Sequence, residues 1–264
     1  MHPTVHDDDL IEAWSAHQQV RGFSPRTIAR RRWTLAKLAD AGPLEQHTAD
    51  SIERFLAHWP SPQSRYSLRS DCHQFYRWAQ RRGHLTGDPT DDVDPPRLHT
   101  RAATPLTATQ LRRALEAANR PQRTAIMLGA WAGLRVSEIA ALDAGDVHRD
   151  LGVLVVRDGK GGRDAVLPLA DELAAVLPDH GPCVPYATGQ AVGAAIRRAF
   201  RRAGIDRRPH DLRHTFGTAA ARAAHGDVFT VAHLMRHASV TTTQRYVAWT
   251  ATGADVVEHL YDAA

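Results

Sequence analysis

The sequence predicts a mainly α protein of two domains with one small antiparallel β-sheet, and three observations carry that expectation. Apolar residues recur at helical spacing through residues 10–80. A stretch rich in proline and aspartate, Gly87 to Pro105, then breaks the pattern. Beyond it, further helical periods flank a single pair of Val/Leu runs that meet at a glycine-rich turn. A chain of 264 residues is long enough to give each half a core of its own.

Taken in order, the first domain, residues 1–90, reads as four amphipathic helices. Their apolar faces carry Leu10, Ile11, Trp14 and His17; Ile28, Trp33, Leu35 and Leu38; Ile52, Phe55, Leu56 and Trp59; and Leu68, Cys72, Phe75, Tyr76 and Ala79. Ser24 is the expected N-cap of the second helix, with Pro25 in its first turn, where a missing N–H costs nothing. Residues 91–104, with Pro95 and Pro96 among aspartates, read as a linker. The second domain, 105–264, opens with Thr107 capping a helix through Leu111, Leu115 and Ala118. Helices follow at 123–132 and 136–142. Gly152–Arg157 and Arg163–Leu169 then form a hairpin around Asp158-Gly159-Lys160-Gly161-Gly162. Helices resume at 190–203, 210–224, 228–234 and 256–261.

Composition limits the class of function. No run of about 18 apolar residues exists to cross a bilayer, and Met1 to Leu10 lacks an apolar signal region, so a soluble, cytoplasmic protein is expected. Cys72 and Cys183 make neither a disulfide framework nor a Cys-x-x-Cys pair. The net charge of +4 is unevenly spread. Residues 21–37 hold Arg21, Arg26, Arg30, Arg31, Arg32 and Lys37 without an acid; Arg65, Arg69, Arg77, Arg81 and Arg82 follow against Asp71 alone; and 197–222 hold eight arginines against two aspartates. Such runs suit a polyanion, and Arg26, Arg30, Arg31, Arg65, Arg69 and Arg77 are the candidate DNA-backbone contacts.

Candidate catalytic residues follow in a fixed order: Arg135, Lys160, His210, Arg213, His237 and Tyr246. Their contexts are Ala132-Gly133-Leu134-Arg135-Val136-Ser137-Glu138-Ile139, Gly159-Lys160-Gly161-Gly162-Arg163, His210-Asp211-Leu212-Arg213-His214-Thr215, Leu234-Met235-Arg236-His237-Ala238-Ser239 and Thr241-Thr242-Thr243-Gln244-Arg245-Tyr246. This series resembles the tyrosine recombinases, the phage integrase family, and Gly22-Phe23-Ser24-Pro25-Arg26-Thr27-Ile28 is similar to the entry of that family's core-binding, SAM-like domain. The resemblance implies a two-domain DNA clamp acting on a duplex recombination site, monomeric in solution and a homotetramer on synapsed DNA. A tail after Tyr246 would pack in cis or dock on a neighbouring subunit. With the first helix starting near Leu10, no room is expected for an arm-binding domain. The resemblance leaves open a small phage or mobile-element integrase or an Xer-type chromosome-dimer resolvase, and whether an accessory directionality factor takes part.

The residue types fit that chemistry. A phosphodiester repels nucleophiles, so cations must stand where charge gathers in the transition state. Arg135 and Arg213 are always charged and can fork two N–H donors onto phosphate oxygens. Lys160 is one of only two lysines, the other being Lys37, and unlike arginine it can release a proton, as a general acid for the leaving 5′ oxygen. Tyr246 would be the nucleophile, with a phenol pKa of about 10 that calls for a partner to take its proton. His210, at i to i+3 from Arg213, is that partner. The resemblance gives His237 a hydrogen bond to the phosphate. Glu138 reads as a supporting acid that orients Arg135 or a histidine, or as an exposed ion pair. Neither metal nor other cofactor is expected.

One departure stands out, since Arg236 occupies a position where the family usually has glycine, either as an added phosphate contact or as a crowded turn. A rival reading takes His210 and His214, at i and i+4, as a zinc pair. Aspartate stands there where a zinc hydrolase has its glutamate base, and no third ligand is evident. A type IB topoisomerase-like enzyme that nicks and reseals one strand, and a DNA-binding relative without catalysis, also stay open.

Overall fold

The computed structural model describes residues 7–98, 104–159 and 163–236. The chain divides into two compact units, Met1–Thr100 and Arg101–Ala264. The first contains α1 (Asp7–Val20), α2 (Pro25–Ala39), α3 (Ala49–Ala57) and α4 (Pro62–Arg81). Each start after α1 is fixed by a hydroxyl that accepts an otherwise orphaned helix N–H. Ser24 takes the N–H of Thr27, Thr48 that of Ser51 and Ser61 that of Ser64.

Trp14, Leu35, Leu38, Ile52 and Phe75 fill the core of this unit. Tyr76 is buried there too, and its hydroxyl donates to the Leu44 carbonyl at 2.9 Å. Trp33, expected on the buried face of α2, is 44% exposed and meets Trp59 edge-on at 5.4 Å. The buried stripe of Ile28, Arg31, Leu35 and Leu38 follows the helical period, and position 33 falls off it, so the indole sits at the rim.

The second unit contains α5 (Ala108–Glu116), α6 (Arg120–Trp131), α7 (Val136–Ala141), β1 (Val147–His148), β2 (Val153–Gly159), β3 (Arg163–Pro168), α8 (Asp171–Ala174), α9 (Gly189–Arg202), α10 (His210–Ala223) and α11 (Val228–Leu234). Thr107 and Gln110 form a reciprocal capping box at α5, as do Asn119 and Gln122 at α6. The expected hairpin is β2–β3, with Val155 opposite Val166, and β1 adds a third antiparallel strand through Val147 and Leu154. Two-residue β1 and four-residue α8 are too short to leave a periodic signal. The helix expected at 256–261 lies outside the described residues. The unit is mainly helical with a small three-stranded sheet.

Helix α6 runs through the core, with Ala125, Ile126 and Leu128 fully buried. Gly129 lets α10 approach it: a Cβ there would lie 3.0 Å from Cβ of Leu212. At Gly133, φ is +61° and a Cβ would fall 2.4 Å from the Phe216 ring. Gly133→Ala is therefore expected to cost about 2–4 kcal/mol, from left-handed backbone strain and overpacking together, and to lower the thermal midpoint. A midpoint unchanged within error would show that the turn relaxes freely.

Candidate active site

The turn at Gly133 places the first candidate catalytic side chain. The Leu134 N–H donates to the Leu128 carbonyl at 3.1 Å, ending α6. The chain then re-enters a helix with Arg135 at the N-cap of α7. Arginine cannot cap with its own side chain, and Glu138 at the third helical position does so instead. Its Oε2 accepts the Arg135 N–H at 2.8 Å and its Oε1 accepts Arg135 Nη1 at 2.6 Å. Glu138 is buried, so this ion pair is not an exposed one.

Two more guanidinium groups converge on the same turn. Arg213, on the inward face of α10 and only 2% exposed, donates from Nη1 to the Gly133 carbonyl and from Nη2 to the Met235 carbonyl. Arg236, just after α11, donates from Nη2 to Glu138 Oε2 at 2.7 Å and to the Gly133 carbonyl at 3.2 Å. Burial opposes the Glu138 charge. The Arg236 charge, the Arg135 N–H and the Arg135 side chain outweigh it, holding the carboxyl below its ordinary range. Arg135 and Arg236 share one buried carboxylate, and Arg213 meets Arg236 at the Gly133 carbonyl, which gathers positive charge suited to an anion whose charge grows during reaction.

His210 opens α10 one turn before Arg213. Its residue surface is exposed, and its ring meets that of His214 edge-on at 4.7 Å. The protein packed around the imidazole disfavours its charged form, and Arg213 adds repulsion, as does Arg135 more weakly. Asp211 opposes them, and the net effect holds the pKa below 6.5. His210 is thus largely neutral at pH 7 and able to accept a proton.

The zinc reading of this helix gains no support from its surroundings. The Asp211 carboxylate accepts the Arg208 N–H at 2.8 Å and so fixes the start of the helix. Among the described residues no third ligand-type side chain joins His210 and His214. The one such group among them with ligand atoms close enough for a metal is His73, Asp88 and Asp91 in the first unit. There Asp88 Oδ1 accepts both the N–H and the hydroxyl of Thr90, an ordinary turn interaction. Lys160, His237 and Tyr246 lie outside the described residues. The structure thus brings Arg135, Glu138 and Arg213 together and adds Arg236, whose buried role no periodic or composition signal revealed.

The candidate DNA-contacting arginines separate into two groups. Arg26, Arg30 and Arg77 are exposed, although Arg30 also forks onto Asp71 at 2.6 and 2.9 Å. Arg31 departs from the expectation that the arginine run follows the solvent face of α2. It is 6% exposed, donates to Gln18 at 2.7 Å and to Gln74 at 2.5 Å, and lies over the Phe23 ring. Position 31 falls one turn from Ile28 and Leu35, so helical geometry turns it inward. Arg65 and Arg69 are half-buried and hold carbonyls: Arg65 those of Trp59 and Pro60, Arg69 those of Thr90 and Val93. A shallow depression lined by Arg21, Arg77, Arg81 and His17 is the more cationic feature. Burial first, then Arg82, Arg21 and Arg81, hold the His17 pKa below 6.5.

Known proteins share both the sequence and the fold. Residues 105–180 and 186–252 match the phage integrase family. The chain is 29% identical to the tyrosine recombinase XerA of Thermococcus kodakarensis over 97% of this chain and 94% of that protein. It is 33% identical to the tyrosine recombinase XerD of Caulobacter vibrioides over 79% and 76% of the respective chains. Lambda integrase has the same fold. Its residues 75–356, in a dimer bound to a core site, superpose with a TM-score of 0.74 at 19% identity, covering 89% of this chain and 96% of that one. A lambda integrase tetramer bound to a Holliday junction gives 0.72 at 20% identity, covering 90% and 79%. No helix among the described residues is long and apolar enough to cross a membrane. With a match over more than half its length, on the segment that carries the arginine cluster and the Tyr246 motif, this chain belongs to the phage integrase family of tyrosine recombinases.

Proposed function

We propose that the protein is a site-specific DNA recombinase that breaks and rejoins strands through a 3′-phosphotyrosyl intermediate. The observation that carries this reading is the convergence of Arg135, held by the buried Glu138, and Arg213, held by the Gly133 carbonyl, on one turn. The Tyr246 oxygen attacks the scissile phosphorus as its proton passes to His210, and the bond from phosphorus to the 5′ oxygen breaks. Lys160 gives that oxygen a proton, leaving a free 5′ hydroxyl and a 3′ phosphate ester on Tyr246. His237 donates a hydrogen bond to the phosphate. A 5′ hydroxyl from a second duplex then attacks the phosphotyrosine, releases the Tyr246 phenol and restores the original bond types, so no ATP is consumed.

The lambda integrase complexes, a dimer on a core site and a tetramer on a Holliday junction, support duplex DNA as partner and a tetramer as the working assembly. In this reading the chain is a cytoplasmic monomer until it meets DNA, and direction is set with an accessory factor. Residues 1–90 form a core-binding domain that contacts the backbone through Arg26, Arg30, Arg77 and the depression around Arg21 and Arg81, and 105–264 form the catalytic domain beyond a 91–104 linker.

The test is covalent capture on a nicked duplex selected by the wild-type chain from a randomised pool, with and without EDTA. A protein–DNA adduct that survives chelation supports the reading, and dependence on metal overturns it. Joining of strands from two site-bearing duplexes separates a recombinase from an enzyme that only nicks and reseals. The depressed His210 pKa adds a pH expectation. Proton acceptance requires neutral imidazole, so single-turnover cleavage should fall at acid pH with its midpoint below that of an ordinary imidazole. A midpoint above that of an ordinary imidazole would remove His210 from that role.

A further inference from the structure

The turn after α11 holds a residue whose backbone and side chain both run against ordinary preference. Arg236 has φ +51°, in the left-handed region where a non-glycine residue is strained. Its side chain is only 9% exposed. Nη2 is satisfied by Glu138 and Gly133, but Nε and Nη1 are buried with no hydrogen-bond partner among the described residues. Buried donors left unpaired are rare and costly, and backbone strain persists where surrounding structure enforces it. A glycine at this position would avoid both penalties. Arginine thus stands here against the local preferences of the turn.

The contacts of Nη2 give a reason. Glu138 Oε1 holds the side chain of Arg135, and Oε2 holds the Arg135 N–H together with Arg236. The Gly133 carbonyl accepts both Arg213 and Arg236. One guanidinium thereby bridges the carboxylate that orients Arg135 and the carbonyl that orients Arg213. We propose that Arg236 is a positioning residue, which sets the two phosphate-binding arginines in register through Glu138 and the Gly133 carbonyl. The proposal rests on the reading of Arg135 and Arg213 as phosphate ligands. The Arg236 charge is also the largest of the influences that keep Glu138 ionised against its burial. Without it, the carboxylate would be more readily protonated and would hold Arg135 less firmly.

The experiment uses the full chain and the selected nicked duplex, with single-turnover cleavage at saturating protein measured separately from DNA affinity. Arg236→Gly is expected to slow cleavage by about 10–100-fold, by analogy with the loss of groups that orient the ligands of a catalytic metal. Affinity should change far less, and Arg236→Lys should recover part of the rate by restoring charge without the fork. Glu138→Gln combined with Arg236→Gly should lose clearly less than the product of the two single losses, because the two residues share the route through the carboxylate. Circular dichroism and thermal melting establish that each variant is folded; if the glycine variant is not, Arg236→Lys and Glu138→Gln carry the comparison alone and in combination. Wild-type cleavage by Arg236→Gly, a loss confined to affinity, or multiplicative effects with Glu138→Gln would each overturn the proposal. An indifferent Arg236→Gly in an active enzyme sinks this inference alone, whereas a wild-type chain that forms no adduct sinks the recombinase reading and this inference with it.

Discussion

Tyr246→Phe is expected to bind the selected duplex as the wild type does and to form no covalent adduct at all. The substitution removes one oxygen and keeps the ring, so packing is conserved while the atom that would bond to phosphorus disappears. Removing a nucleophile from a concerted site costs on the order of 10⁶ in rate, below what a denaturing gel detects. Of the three described tyrosines, Tyr186 lies in the second unit, half-buried against its core, and is the replacement to test beside Tyr246; Tyr76 and Tyr66 lie in the first unit. Tyr76 is fully buried in the other unit, its hydroxyl is committed to the Leu44 carbonyl, and burial raises its pKa far above that of an ordinary phenol. Tyr66 is exposed but also lies in the first unit. An adduct of undiminished yield in Tyr246→Phe would place the nucleophile elsewhere, and loss of DNA binding with the adduct would show that the phenol oxygen serves recognition as well.

Much of this fold is written in short-range chemistry. Ser24, Thr107 and the 228–234 helix follow from capping and periodicity, because those signals act within one turn of the chain. The helix after Asn119 starts three residues earlier than the apolar pattern suggests, since its capping box with Gln122 is polar. Arg31 shows where charge patterning misleads: it lies in an unbroken basic run, yet helical phase points it into Gln18, Gln74 and Phe23. Long-range convergence is the least legible. Arg135 and Glu138 are three residues apart and read as a pair, whereas Arg213 and Arg236 meet the Gly133 carbonyl from 80 and 103 residues away. No local pattern encodes that meeting. The left-handed Gly133, the close packing of Phe216 on it and the apolar burial of Met235 bring the partners together.

Arg213 should be the most demanding of the charged positions, and lysine is its most informative replacement. The guanidinium donates to two carbonyls from different segments, Gly133 before α7 and Met235 after α11, while carrying the charge assigned to the phosphate. Lysine keeps the charge but presents it at one nitrogen and cannot reproduce a planar fork. Arg213→Lys is expected to lower single-turnover cleavage by about 10³ to 10⁵, as for other arginines that stabilise phosphoryl transfer, which corresponds to roughly 4–7 kcal/mol of lost transition-state stabilisation. Stability should fall as well, because a carbonyl left without its donor in the interior costs about 1–3 kcal/mol. Arg213→Gln removes the charge too and should be at least as slow. The two effects separate experimentally: destabilisation appears in the thermal midpoint, and the kinetic loss must persist at temperatures where the variant is fully folded. Cleavage by Arg213→Lys within a few-fold of wild type would mean that charge alone suffices, and the two-carbonyl clamp would then be a feature of folding rather than of phosphate orientation.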